Sequence, residues 1–242
     1  MKKYLVLVFM MALQLTAFAQ PPDFVQLRGR QFYDGYGQPF YPLMMNYEME
    51  YQYNNSLTAH WLNKYWEYGS EHDGFENTSG LAAQLEIISD LTIIRNMGFN
   101  MVRPDFTPTW DPDVNKFYLR GRTYGDPSVL HNLDSDDART YFDQPFATNQ
   151  AVLDYFAYMD WFIDQAGQNN MYTMLNGVLG DVTDPNAFLP YIEYLDLLGN
   201  HFKNNKWLAF YDIINEPLYV YTYAHQTSQY SKKQACELVA EF

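Results

Sequence analysis

The sequence predicts an α/β fold in which parallel strands are joined by helical crossovers. Three observations carry that prediction. Short apolar runs alternate four times with longer segments of helical period, which is the rhythm of repeated βα units. The first strand ends in Met44-Met45-Asn46-Tyr47-Glu48, without the glycine-rich phosphate turn that a doubly wound sheet places there. Polar residues gather instead at the strand ends: Asn46, Arg103, Asn176, Asn215 and Glu216. A (β/α)8 TIM barrel builds its active site from such positions. The expected architecture is therefore an incomplete barrel, its first four βα units behind an N-terminal hairpin.

The elements follow in order. Phe24 to Phe40 reads as a hairpin, with Val25–Leu27 and Gln31–Tyr33 alternating around Gly29 and turn chemistry at Asp34-Gly35-Tyr36-Gly37. Pro39 to Asn46 is expected as the first buried strand, and residues 47–79 as a long ring-rich loop. Leu81, Leu85, Ile88, Leu91 and Ile94 recur at helical spacing, and Gly98 stops the helix. Phe99 to Arg103 is the second strand, closed by Pro104. A loop then runs to about Ala147. Asn149 to Ala166 is a helix, ended near Gly167, and Met171 to Asn176 is the third strand. Asn186 to Phe202 is a helix with Asp184 as N-cap and Pro185 at its first position. Leu208 to Ile214 is the fourth strand, and a fourth helix begins at Ser228.

Composition bounds the function. The chain has 242 residues, of which 48% are hydrophobic and 18% charged, so it can bury a core. Its formal net charge of −14 argues against nucleic acid, whose binders gather Lys and Arg on phosphate. With 18% aromatic residues, the surface suits a neutral substrate that stacks on rings. A single cysteine, Cys236, excludes an intrachain disulfide and a cysteine-based zinc cluster.

Residues 1–19 are read as a secretory signal peptide. Lys2 and Lys3 precede an apolar run from Tyr4 to Phe18, and Ala17-Phe18-Ala19 supplies small residues for cleavage before Gln20. The run is too short to span a bilayer and Gln14 interrupts it. Residues 20–242 are then the exported part, secreted, periplasmic or at the cell surface, with no stable membrane insertion.

The chemistry concentrates in Trp207-Leu208-Ala209-Phe210-Tyr211-Asp212-Ile213-Ile214-Asn215-Glu216-Pro217. An apolar strand runs straight into Asn-Glu-Pro. A carboxyl group at the foot of a cleft is partly desolvated, so its pKa rises and it can serve as an acid. Asn215 offers a neutral donor and acceptor to a sugar hydroxyl. Read blandly, the same residues are a strand followed by an ordinary turn.

On these residues the chain resembles the retaining β-glycosidases of the (β/α)8 clan that includes family 5 endoglucanases and β-mannanases. The likeness covers the hairpin from Phe24 to Phe40, the first strand, the join Asn96-Met97-Gly98-Phe99-Asn100-Met101-Val102-Arg103, and Leu208 to Pro217. That is the first half of the family barrel. The resemblance implies that Glu216 is the general acid/base, that Asn215 contacts the 2-hydroxyl beside the cleaved bond, and that Arg103 supports the nucleophilic carboxylate.

Two departures shape the expectation. Cellulase-like members often place a histidine after the third strand, where this chain has Asn176-Gly177; mannan-type substrates therefore stand level with glucans, and Asn176 becomes a candidate substrate contact. The clan's nucleophilic glutamate lies at the end of a seventh strand, and the sequence runs only just beyond the fourth. Retaining hydrolysis needs two carboxyl groups about 5–5.5 Å apart. The expectation is the N-terminal half of an enzyme, inactive alone.

Trp61, Trp66 and Trp110 are expected in loops at the strand-end face, where indoles can stack on pyranose rings or simply pack the loops. Asp111-Pro112-Asp113-Val114-Asn115 begins like a calcium loop but has Lys116 and Arg122 where glycine and glutamate are required. His60, His72, His131, His201 and His225 show no ligand spacing, so no metal and no cofactor are expected. Tyr155, Phe156, Met159, Trp161 and Phe162 read as helix packing. The expected function is hydrolysis of O-glycosidic bonds in a β-linked polysaccharide or oligosaccharide. The rival is a non-catalytic carbohydrate-binding surface protein on the same scaffold.

Overall fold

A computed structural model of the chain describes residues 20–51, 62–64, 81–105, 108–120, 139–178 and 185–214. Residues 1–19, read as a signal peptide, and the segment from Ser228 expected to begin a fourth helix lie outside them.

The described residues form a mixed α/β fold around a parallel sheet. An N-terminal meander of β1 (Gln26–Arg28), β2 (Gln31–Tyr33) and β3 (Pro39–Phe40) pairs antiparallel. Gly29, at φ +65°, takes the left-handed turn between β1 and β2 that a Cβ would resist. The central sheet contains β4 (Met44–Tyr51), β6 (Met101–Asp105), β10 (Tyr172–Val178) and β11 (Leu208–Ile214), all parallel and side by side in chain order. At one edge β5 (Leu62–Lys64) returns antiparallel to the end of β4.

The crossovers are α1 (Leu81–Asn96), α2 (Gln150–Gln168) and α3 (Pro185–Phe202). Gly98, at φ +100°, ends the turn after α1. The Asn149 side chain caps α2 by accepting from the Val152 amide at 3.2 Å. Pro185 occupies the first position of α3, where its missing N–H costs no bond.

Several boundaries differ from the sequence reading. The first strand is displaced: Pro39 and Phe40 belong to the meander, and β4 continues to Tyr51 because β5 gives its far end a partner. Pro104 lies inside β6, not after it. The expected loop after the second strand contains a further antiparallel sheet, β7 (Thr109–Asp111), β8 (Lys116–Arg120) and β9 (Arg139–Phe142). The calcium-like stretch is its first turn, where the Asp113 amide donates to Asp111 Oδ1 at 3.0 Å and Asn115 is left-handed. The helix α2 ends at Gln168, beside Gly167 as expected. Gly167 occupies the last turn, against the Trp207 indole.

The buried stripe of α1 is also rotated. Ile87, Asp90, Leu91 and Ile94 are buried, while Leu85 is 58% exposed. A charged residue enters that stripe because Tyr47 Oη donates to Asp90 Oδ2 at 2.8 Å. Tyr47 also stacks on Phe162 of α2, with ring centroids 6.0 Å apart. Its face of the sheet is thus the one covered by α1 and α2. Beside it, Phe117, Phe142, Phe146, Tyr155, Phe156 and Tyr194 form one aromatic cluster that joins the β7–β9 sheet to α2 and α3. Tyr155, Phe156, Met159 and Phe162 are buried, as helix packing requires.

Candidate active site

Side chains of a strand alternate between faces, and partners in a parallel register share one. Tyr47 pairs with Pro104 on the helix-covered face, so Asn46 and its partner Arg103 point the other way. Tyr172 pairs with Met101, which carries Met174 and Asn176 onto the same side as Arg103. Met174 pairs with Phe210 and Asn176 with Asp212.

The second face is therefore layered. Toward the strands' N-terminal ends it carries Met44, Met101 and Tyr172, paired in register. Farther toward the C-terminal ends it carries two polar pairs, Asn46 with Arg103 and Asn176 with Asp212. The meander closes the apolar end: Phe32 meets Phe210 edge-on at 5.1 Å, and Phe40 meets Tyr172 at 5.1 Å.

Within the polar layer, Arg103 Nη2 donates to Asp212 Oδ2 at 2.7 Å. The two side chains are 11% and 23% exposed. Such a charge-assisted bond is poorly screened and orients both groups. Asn176 is 2% exposed, and neither end of its amide has a hydrogen-bond partner among the described residues. A buried amide left unmet costs about 1–3 kcal/mol. Asp212 also acts on Tyr191 of α3, whose hydroxyl is held above its usual range by burial first and by that carboxylate second. Tyr191 thus stays a neutral phenol.

The predicted site residues are distributed as follows. Arg103 and Asn176 lie inside strands, not after them, and share one face. Asn176 is enclosed in this structure, so it belongs to the interior polar layer and not to an open sugar contact. Trp110 is corrected: it lies in β7, is 4% exposed and packs edge-on to Phe117 at 5.0 Å, so its ring face is not open to a sugar. Asn215, Glu216, Trp61 and Trp66 lie outside the described residues. Asp212 was missed by sequence reasoning. Its signal was a lone charge in the apolar strand Leu-Ala-Phe-Tyr-Asp-Ile-Ile.

Among the described residues no group of three or more His, Cys, Asp or Glu could hold a metal ion, and no helix is long and apolar enough to cross a membrane. His201 lies on the surface, its Nε2 2.7 Å from Asp160 Oδ2.

No protein-family model matches the chain, and no curated protein matches its sequence. Among solved structures, it is similar to the crystal structure of a glycoside hydrolase family 5 from Bacteroides vulgatus ATCC 8482. The TM-score is 0.42 and the identity 13%, over 92% of this chain. The chain spans 38% of the length of that protein. A likeness at that level carries no argument about activity, and the functional reading rests on the residues.

Proposed function

We propose that the chain is the N-terminal part of a secreted, retaining β-glycoside hydrolase on a (β/α)8 barrel, acting on a mannan- or glucan-type polysaccharide. The observation that supports this most is the order of the sheet. Four parallel strands lie side by side in chain order, whereas a doubly wound sheet reverses its order part-way. Winding in one sense leaves one face free of α1 and α2, and that face carries the polar layer near the strands' C-terminal ends. Barrel enzymes build their sites at those ends.

In this reading Glu216 is the general acid/base. It follows Asp212 by four residues in the sequence. It protonates the departing glycosidic oxygen while a second carboxylate attacks the anomeric carbon. Glu216 then takes a proton from the water that releases the covalent glycosyl intermediate. Asn215 holds the 2-hydroxyl, and Trp61 and Trp66 stack on neighbouring sugars. The Arg103–Asp212 pair presents the guanidinium beneath the nucleophile, which the family resemblance puts on a seventh strand beyond residue 242.

The reading is tested on the full-length protein with β-mannan and mixed-linkage β-glucan, following product anomers by proton NMR. Release of products with retained β configuration supports it. Binding of polymer without hydrolysis points to the carbohydrate-binding alternative, and inverted products overturn the double displacement.

A further inference from the structure

At the N-terminal end of the parallel strands, a pocket of about 450 Å³ opens between the meander turn and the segments that enter those strands. Its volume lies within the usual range of small-molecule sites, about 300–1,000 Å³. It is separated from the Arg103–Asp212 layer by three to five residues along the strands, roughly 10–16 Å at about 3.3 Å per residue. We infer that this pocket is a second carbohydrate site, for a neutral β-linked oligosaccharide.

Three features carry the inference. First, the walls are fixed before any ligand arrives. The buried Gly35 amide donates to Tyr172 Oη at 2.9 Å, pinning the turn to the sheet. The Asn100 side chain donates to Tyr41 O at 2.9 Å and accepts from the Leu43 amide at 2.8 Å. A pre-organised site saves the ordering cost of binding.

Second, the charges balance. Asp34 and Arg95 both line the pocket. Asp34 Oδ1 is occupied by the Tyr36 and Gln38 amides, and Arg95 Nη1 donates to Phe99 O. Asp34 Oδ2 and the rest of the guanidinium are left to accept and to donate, and the exposed Asn170 amide can do both. A lone anion would face Asp34 and a lone cation Arg95, whereas vicinal hydroxyls can use both partners.

Third, two large rings stand in water where burial would be expected. Tyr36 is 53% and Tyr41 67% exposed, both on the pocket lining. Such rings offer an apolar face with a polar tip, which suits the C–H face of a pyranose.

The choice of sugar rests on the proposed function, so the test keeps the two apart. Full-length protein carrying Glu216→Gln, which stops turnover, is titrated calorimetrically with mannohexaose and with cellohexaose. The inference predicts two sites for one of these sugars. Tyr41→Ala or Arg95→Ala should weaken one of them at least tenfold and leave the other, with an unchanged thermal melt. Tyr41→Phe should retain both. A single site unmoved by Tyr41→Ala and Arg95→Ala, or no binding of either sugar, would overturn the inference. Tyr41-dependent binding in a protein that hydrolyses nothing would leave the pocket standing and sink the hydrolase reading. Glu216-dependent hydrolysis without Tyr41-dependent binding would do the reverse.

Discussion

Arg103 Nη2 and Asp212 Oδ2 meet at 2.7 Å across the intervening strand β10, which separates their two strands in the sheet. Neighbouring strands lie about 4.8 Å apart, so the pair spans roughly 10 Å of backbone. It ties the second parallel strand to the fourth and favours a sheet curved toward the polar layer. A double-mutant cycle with Arg103→Met and Asp212→Asn should show a coupling of about 1–3 kcal/mol in urea unfolding, within the range for contacting charged groups. Coupling indistinguishable from zero would mean that the pair contributes nothing to folding.

Gly167 is inside α2, and a Cβ there would collide with the Trp207 indole. Trp207 is buried, touches Tyr172 with ring centroids 5.2 Å apart, and leads directly into β11. Gly167→Ala gains helix propensity but overpacks this join. We predict a net loss of about 1–3 kcal/mol, seen as a lower midpoint in thermal unfolding. An unchanged or raised midpoint would show that the indole can move aside at no cost.

Asp164 of α2 has its carboxyl pKa raised above 3.8, by burial first and by the neighbouring Asp160 charge second. The folded state therefore holds this proton more tightly than the unfolded chain. Its ionisation is no burden below the unfolded value, and the penalty grows as pH rises through the folded one. Asp164→Asn should accordingly raise the melting temperature at pH 7 and make little difference near pH 3. A melt shift of equal size at both pH values would contradict this account.

Among the described residues β11 pairs only with β10, and no described strand covers its far edge. Among the described residues the second face is covered only in part: Met101 and Asn176 are buried, whereas Met44 is 36% exposed. Each Å² of apolar surface left wet there costs about 25 cal/mol, against a typical net stability of about 5–15 kcal/mol. Residues 20–242 expressed alone should self-associate and should not hydrolyse mannan or β-glucan. Sedimentation velocity checks the first expectation and a reducing-sugar assay the second. A monodisperse monomer with a sharp melt would show that this chain closes its own core.

The fourth strand was legible to the residue because apolar β-formers fill it from Leu208 to Ile214 and turn residues precede it. Helix α1 was legible from apolar residues at helical spacing and α3 from Pro185 at its first position. The first strand was not, because its boundary depends on β5, a partner remote in sequence. The β7–β9 sheet hid in a segment whose Pro, Gly and Asp clusters mark turns but not the strands between them. Trp110 was expected in a strand-end loop, either stacking on sugar or packing; it lies in β7 and packs on Phe117. For the polar layer, Arg103 and Asn176 were visible as charged or amide residues near strand ends. Asp212 was not, since its meaning comes from cross-strand register, which no local pattern carries.

The central claim is that a carboxyl group at the end of the fourth strand supplies the proton for bond cleavage. It is tested most directly by kcat/KM of full-length Glu216→Gln on polymer and on an aryl β-glycoside whose leaving group needs little protonation. The account predicts a loss of about 10²–10⁴-fold on polymer, as for removal of a general acid, and a clearly smaller loss in the glycosylation step with the aryl substrate. Full activity of Glu216→Gln on polymer would contradict it.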